Sequence, residues 1–154
     1  MQKTQGFTLI ELLITIAIMA IMMAMAVPSF KQMVERNQVT TTGNDMIASI
    51  MLARSTAVTR EGDIRLRRLS NWNSGWTVRD AANNVILRHE TSHPNLLITA
   101  VGSNTTNFIT YTAQGRTSPA LAAGADYFKI SLGNTVRCIN FSTTGRPSTG
   151  DCPS

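Results

Sequence analysis

The chain has 154 residues, of which 43% are hydrophobic and 15% are charged. A globular domain typically takes about 100 to 150 residues, so this length allows one small domain plus an anchor and excludes a second domain. Lysine and arginine number 14 against 9 acidic residues, which gives a basic but modest net charge of +5. Arginine outnumbers lysine, which suits phosphate contacts, although solvated strand faces and salt bridges to partners are the simpler explanation.

The first predicted element is a membrane-spanning helix over residues 7–28. Residues 7–27 are apolar except for Thr8, Glu11 and Thr15. As a helix this run spans about 31 Å, which matches a hydrocarbon core of about 30 Å. A small domain can hardly surround such a helix, so a buried soluble helix is disfavoured.

A short polar leader, residues 1–6, precedes the apolar run and ends in Gly6. A secretory signal peptide would instead place its cleavage site after the apolar run. Glu11 lies within the run, where a carboxylate is costly and requires a positive partner. Cleavage between Gly6 and Phe7 would create an amine about one helical turn from Glu11, able to meet a carboxylate in the same chain or in a neighbour.

The segment GFTLIELL at residues 6–13 resembles the type III signal of type IV pilins and type II secretion pseudopilins. In that family a prepilin peptidase cuts after the glycine and N-methylates the phenylalanine, and the glutamate helps to dock subunits into a helical fibre. The resemblance therefore implies processing at Gly6, methylation of Phe7 and an assembly role for Glu11. It also implies a single-pass protein of the bacterial inner membrane with a periplasmic C-terminal domain, incorporated into a pilus or pseudopilus.

A further stretch of helix is predicted from residue 29 to about residue 59. No proline interrupts it, and its apolar residues form a rough helical stripe. Three threonines at residues 40–42 and the following Gly43 lower the helix propensity in the middle. We therefore expect a flexible or locally melted turn at residues 40–43.

After Gly62 the pattern changes to short strand-like runs separated by turn residues. Strands are predicted over residues 63–69, 75–79, 84–89, 96–101, 107–112, 127–132 and 135–141. The expected architecture is α+β, with one long helix packed on antiparallel β-sheet. The predicted domains are a cleaved leader over residues 1–6, a transmembrane helix over 7–28 and a periplasmic pilin domain over 29–154.

The two cysteines, Cys138 and Cys152, delimit a short loop near the C-terminus. In an oxidising compartment they can form a disulfide, and closing a loop of this size contributes roughly 3 kcal/mol on the chain-entropy model. No histidine or second cysteine pair lies nearby in the sequence, which disfavours a metal site.

The segment HETSH at residues 89–93 matches the zinc-protease pattern of two histidines flanking a glutamate. That chemistry requires the histidines to lie one helical turn apart. Strand-like residues precede this segment and Pro94 follows it, so we expect a strand end and a turn. Trp72 and Trp76 are expected to fill the core rather than stack on bases. We expect no catalytic residue, metal ligand or cofactor in this chain.

Later segments resemble the GspH/FimT branch of the pilin class. They are LARSTAV at residues 52–58 and two strand-then-turn units, FITYTAQGR at 108–116 and INFSTTGR at 139–146. The resemblance implies a minor pilin of the FimT or FimU type, or the minor pseudopilin GspH of a type II secretion system, rather than a major fibre subunit. The implied partners are the prepilin peptidase, other major and minor pilins or pseudopilins, and the inner membrane.

DNA is a further candidate partner. In DNA-uptake members resembling FimT, a glycine-arginine motif with a second arginine two residues later contacts DNA phosphates. Gly145 and Arg146 match this motif, but Ser148 stands at the second arginine position. The alternatives are DNA binding through Arg146, with Arg116 and Arg137, or a turn in which Arg146 pairs locally or with the next pilin.

Overall fold

A computed structural model describes residues 7–91 and 93–153 of the chain. The predicted leader, residues 1–6, lies outside the described residues. The chain divides into two compact units, Met1–Glu35 and Arg36–Ser154. Helix α1 (Leu9–Thr59) begins in the first unit and ends in the second, so both predicted helical stretches are confirmed as helix.

The first unit leaves its apolar side chains uncovered. Every residue from Leu9 to Val27 is exposed. Among the described residues, α1 is the one helix that is long and apolar enough to cross a membrane, and none of its apolar window is buried. A helix that is apolar all round requires either a protein core or lipid around it. The described residues bury none of this apolar window.

Helix α1 ends in a tight backbone turn. The Gly62 amide donates to the Ala57 carbonyl at 3.1 Å, and the Glu61 amide donates to the Val58 carbonyl at 3.4 Å. Glu61 has a positive φ of 49°. These bonds form a Schellman motif, which satisfies carbonyls that the last helical turn leaves free. The chain then enters the first strand directly.

The rest of the second unit is antiparallel β-sheet. Its strands are β1 (Ile64–Arg68), β2 (Gly75–Asp80), β3 (Val85–Glu90), β4 (Leu97–Val101), β5 (Phe108–Tyr111), β6 (Tyr127–Leu132), β7 (Thr135–Phe141) and β8 (Pro147–Gly150). They form two four-stranded sheets, ordered β3-β2-β1-β5 and β4-β6-β7-β8, which we call the first and second sheets. The predicted α+β architecture is confirmed.

The seven predicted strands correspond to β1 through β7, and the sequence analysis missed β8. Pro147 and the following Ser-Thr-Gly have low strand propensity. The strand forms because it pairs with β7, where Phe141 lies opposite Pro147 and Cys138 opposite Gly150. Proline is tolerated at the first residue of an edge strand, since its missing N–H is not needed there.

One stripe of α1 packs into a core that both sheets share. The Trp76 indole N–H donates to Ser49 Oγ of α1 at 2.8 Å, so the polar atom of the largest core side chain is satisfied inside the core. Trp72 and Trp76 are both buried, which confirms that they belong to the core. The buried apolar residues that α1 contributes are Val39, Met46, Ile50, Ala53 and Ala57.

The expected melted turn at residues 40–43 is wrong, because α1 is continuous there. Thr42 and Gly43 are buried. A Cβ added at Gly43 would lie 3.6 Å from Arg137 Cδ and 3.7 Å from Ile130 Cδ1 of the second sheet. Packing against the sheet therefore outweighs the low intrinsic propensity of these residues.

Gly43→Ala is expected to stabilise the protein by about 0.5–1 kcal/mol, because glycine loses more backbone entropy in a helix than alanine does. The new methyl group would make ordinary contacts with Arg137 and Ile130 rather than a clash. The measurement is the free energy of unfolding of the full chain in non-ionic detergent.

Gly75→Ala is the matched control for this substitution. Gly75 has a φ of 114°, and a Cβ there would clash with the carbonyl oxygen of His89. It should destabilise the protein while Gly43→Ala stabilises it. A loss of stability in Gly43→Ala would contradict the packing described for the helix.

Candidate functional site: the helix start and two arginine turns

The start of α1 is closed by reciprocal hydrogen bonds between Thr8 and Glu11. The Thr8 amide and hydroxyl donate to Glu11 Oε2 at 3.2 and 3.0 Å, and the Glu11 amide donates to Thr8 Oγ1 at 3.3 Å. This is a capping box, in which side chains satisfy amides that have no partner within the helix. In hydrocarbon such satisfaction matters more, because an unpaired amide there costs several kcal/mol.

Glu11 therefore has a local role that the sequence analysis missed. The Thr-x-x-Glu spacing that identifies a capping box is visible at residues 8–11. Of the two positions predicted for processing, Gly6 lies outside the described residues, and Phe7 directly precedes the capping threonine with 80% of its surface exposed.

Two loops, after β5 and after β7, have the same construction. In the first, the Gly115 amide donates to the Thr112 carbonyl at 2.8 Å, and the Thr112 amide donates to the Arg116 carbonyl at 2.9 Å. The corresponding bonds in the second loop, within residues 142–146, measure 2.8 and 3.0 Å. We call these loops, residues 112–116 and 142–146, the arginine turns.

Each arginine turn depends on a glycine and presents an arginine. Gly115 and Gly145 have φ values of 68° and 76°, which glycine adopts without steric cost. A Cβ at Gly145 would also lie only 2.6 Å from Thr117 Cγ2. Arg116 and Arg146 follow these glycines and are exposed. In the part of the chain that the structure describes, neither forms an ion pair with a carboxylate.

Two side chains hold the arginine turns in place. The Tyr111 hydroxyl donates to the Gly145 carbonyl at 2.6 Å, which ties the second turn to the end of β5. Arg54 Nε of α1 donates to the Gly115 carbonyl at 2.8 Å, which ties the first turn to the helix. Tyr111 is fully buried, and this burial raises the pKa of its hydroxyl. The turns are therefore fixed before any partner binds.

A disulfide fixes the second turn from its other side. Cys138 in β7 is bonded to Cys152, with 5.1 Å between their Cα atoms, as expected from the sequence. The loop it closes contains the second arginine turn. Asn140 Nδ2 also donates to the Asp151 carbonyl at 3.1 Å, next to the disulfide.

Comparisons with known families identify the class to which the chain belongs. The model of the family described as "Type II transport protein GspH" matches residues 42–145, more than half of the chain. The chain belongs to the GspH family. The prokaryotic N-terminal methylation motif matches residues 1–27 as well. Together these matches make the chain a type IV pilin-like protein of the GspH/FimT class, and they imply processing by prepilin peptidase and assembly with other pilins.

Two solved structures share the fold of this GspH-family chain. Both are of the type IV minor pilin FimU from Pseudomonas aeruginosa, in different crystal forms. One is 21% identical with a TM-score of 0.62 and covers 78% of this chain and 93% of FimU. The other is 19% identical with a TM-score of 0.59 and covers 75% of this chain and 94% of FimU. No curated protein matches the chain significantly.

Arg137, the third candidate arginine, does not belong to the arginine turns. It is half-buried in β7, and its aliphatic stem lies against α1 at Gly43. Four residues of strand separate it from Phe141, which is a distance of about 13 Å. The GspH-family structure therefore places Arg116 and Arg146 in two turns of the same construction and leaves Arg137 as a packing residue.

The HETSH segment is a strand end, as expected. His89 and Glu90 are the last residues of β3, and the His89 ring stacks on Trp76 with 4.2 Å between ring centroids. Ser92 lies outside the described residues. The two histidines therefore do not occupy successive turns of a helix.

Tyr111→Phe is expected to lower the free energy of unfolding by about 1–3 kcal/mol, because it leaves the buried Gly145 carbonyl without its donor. The measurement is chemical unfolding of the full chain near neutral pH. Unchanged stability would show that Tyr111 does not hold the second turn.

The same variant gives a pH test. Burial raises the pKa of Tyr111 above the ordinary value of 10.0. Above about pH 10 the unfolded phenol ionises while the folded one stays neutral, so the contribution of Tyr111 to stability falls as pH rises. The stability difference between wild type and Tyr111→Phe should therefore shrink above about pH 10. A constant difference would contradict the raised pKa.

Proposed function

We propose that this protein is a minor type IV pilin of the FimT or FimU type, a non-enzymatic subunit that helps to prime a fibre or forms part of its tip. The observation that carries the proposal is the exposed apolar segment of α1, residues 9–27, with the single carboxylate of Glu11 in its first turn. Such a surface is stable only when lipid or other apolar helices cover it. A membrane-anchored subunit that later packs into a fibre meets both conditions.

In this proposal residues 1–6 are removed by prepilin peptidase, residues 7–28 form the single-pass inner-membrane anchor and residues 29–154 form the periplasmic domain. The match of the methylation motif to residues 1–27 supports the processing step. Cleavage after Gly6 frees an amine at Phe7, which becomes the methylated N-terminus.

Assembly depends on charge pairing within the apolar helix bundle. Opposite charges attract strongly where water is excluded, and an unpaired carboxylate there is unfavourable. The Phe7 amine of one subunit and the Glu11 carboxylate of its neighbour would satisfy each other. This pairing would fix the axial register of the helices.

Glu11→Gln separates charge pairing from helix capping. Glutamine also serves in a capping box, so the helix start should be retained while the charge is lost. The variant is expected to be cleaved normally, but its amount in fibres should fall at least about tenfold. This fall is equivalent to a loss of about 1.4 kcal/mol in the free energy of incorporation. Cleavage is measured by mass spectrometry of the membrane fraction, and incorporation by immunoblot of sheared fibres.

Thr8→Val is the complementary control, because it removes the capping hydroxyl and keeps the charge. It should be cleaved and should still enter fibres. Normal incorporation of Glu11→Gln would contradict charge pairing. A loss in Thr8→Val together with normal incorporation of Glu11→Gln would show that capping, rather than charge, explains the role of Glu11.

A GspH-like minor pseudopilin of a type II secretion system is the related alternative. The description of the matched family favours it. The same helix chemistry would then build a pseudopilus. Recovery of the protein with secretion pseudopilins rather than with sheared pili would identify that system.

A DNA receptor for natural transformation is the second candidate function. The observation in its favour is that the two arginine turns present Arg116 and Arg146 on fixed loops, with no ion pair to a described carboxylate. Exposed guanidinium groups suit phosphate oxygens, and binding through them would be independent of sequence.

The double variant Arg116→Gln/Arg146→Gln is expected to weaken DNA binding and to reduce the slope of log K against log salt by about 2, one unit for each phosphate contact. The measurement is fluorescence anisotropy of a labelled duplex with the full chain in non-ionic detergent. Arg36→Gln/Lys129→Gln removes the same charge from exposed positions on α1 and β6 and serves as the control. Equal binding by both double variants would remove the support for the arginine turns.

A further inference from the structure

A second basic feature lies on the outer face of the first sheet, where sequence analysis singled out no residue. Four arginines and an exposed phenylalanine line an open groove of about 640 Å³. We call it the arginine groove. These lining residues are Arg65, Arg67, Arg68, Arg79 and Phe108.

Strand register places Arg65, Arg67, Arg79 and Phe108 on one face, and Arg68 joins the lining from the last position of β1. Arg65 lies directly opposite Arg79 across β1 and β2, and Arg67 lies opposite Phe108 across β1 and β5. The alternate β1 residues, Ile64 and Leu66, are buried in the core. Because like charges directly opposite each other repel, this arrangement disfavours the unliganded sheet. An anion bound between them would remove the repulsion.

Two of the four guanidinium groups, those of Arg68 and Arg79, are oriented by neutral partners. Arg79 Nε donates to Thr77 Oγ1 at 3.1 Å, and its Nη1 donates to Asn83 Oδ1 at 3.2 Å. Arg68 Nε donates to Asn107 Oδ1 at 3.0 Å. Within the described ranges, none of the four groove arginines forms an ion pair. Arg68 and Arg79 are therefore held in place by hydrogen bonds, while the charge of all four arginines stays without an ion-pair partner among the described residues.

The carboxylate that lines the groove is already engaged. Asp80 accepts hydrogen bonds from the Asn84 amide at 2.8 Å and from Asn84 Nδ2 at 2.9 Å. Its Oδ2 also lies 4.0 Å from Arg60 Nη1. The lining therefore places four arginines against this one carboxylate, which leaves an excess of positive charge.

We propose that the arginine groove binds the phosphate groups of a nucleic-acid backbone. Guanidinium groups match phosphate in charge and fork geometry. Duplex DNA carries one negative charge per about 1.7 Å of its axis, which suits four closely spaced arginines. Phe108 adds an aromatic face, with Arg65 Cζ 5.7 Å from the ring centroid, of the kind that contacts bases or sugars.

The position of the groove deepens the second candidate function, on which this inference rests. Strand β5 runs from Phe108 at the groove to Tyr111, and the first arginine turn begins at the next residue. The four-residue step from Phe108 to Thr112 spans about 13 Å. One nucleic-acid segment can therefore contact the groove and the first arginine turn together.

The test compares three double variants of the full chain in non-ionic detergent, using a labelled DNA duplex and a salt series from about 50 to about 200 mM. The groove variant is Arg65→Gln/Arg67→Gln, the turn variant is Arg116→Gln/Arg146→Gln, and the charge control is Arg36→Gln/Lys129→Gln, whose two side chains are exposed on α1 and on β6. The groove variant is expected to lose about 10- to 100-fold in affinity near 0.1 M salt and about 2 units of salt slope. The charge control should change less than about threefold.

The three double variants distinguish binding at the arginine groove from binding at the arginine turns. A loss confined to the groove variant supports this inference and contradicts the arginine turns, whereas a loss confined to the turn variant does the reverse. A groove variant that binds like the charge control overturns the inference. If polyglutamate of equal charge competes as well as unlabelled duplex, the groove recognises any polyanion and the phosphate assignment is overturned.

A single substitution tests the groove with little risk of misfolding. Arg67→Gln removes a side chain that is exposed and forms no hydrogen bond or ion pair to a described residue, so the fold should be retained. It should reduce the salt slope by about 1. Arg67→Lys keeps the charge and should restore most of the affinity.

Discussion

The fold depends on a single constraint, which is that one continuous helix carries an exposed apolar segment at its start and a buried apolar stripe nearer its end. Up to Val27 its side chains are apolar on every side and exposed, whereas from Val39 to Ala57 only one stripe is buried. Both sheets pack against the buried stripe. The hydrogen bond from the Trp76 indole N–H to Ser49 Oγ satisfies the polar atom of the largest buried side chain. The sheets can therefore carry unusual features on their outer faces, because the core does not depend on those faces.

Those outer features have one property in common, which is that neutral contacts shape the surface while its arginines form no ion pair with a described carboxylate. Backbone hydrogen bonds and glycines shape the arginine turns, and Tyr111 and Arg54 fix them. In the groove, hydroxyl and amide oxygens have the same role. The hydrogen-bonded guanidinium groups of Arg68 and Arg79 lose less entropy on meeting an anion than flexible ones do.

Much of the fold could be predicted from the sequence, because hydrophobic periodicity and turn residues are local signals. The helix and seven strands follow from such patterns. Strand β8 and the intact helix at residues 40–43 were not predictable, because both depend on partners far along the chain that override local propensity. For the same reason the sequence identified Arg146 through its motif but could not show that Arg137 packs against Gly43, nor that Arg65 faces Arg79.

The capping box uses only one of the two carboxylate oxygens of Glu11. Both hydrogen bonds from Thr8 reach Oε2, and Oε1 accepts none from the described residues. An incoming ammonium group can therefore approach Oε1 without displacing the cap. A subunit with this arrangement need not unravel its first turn in order to join a neighbour, so insertion into a growing helical array would carry no cost of local melting.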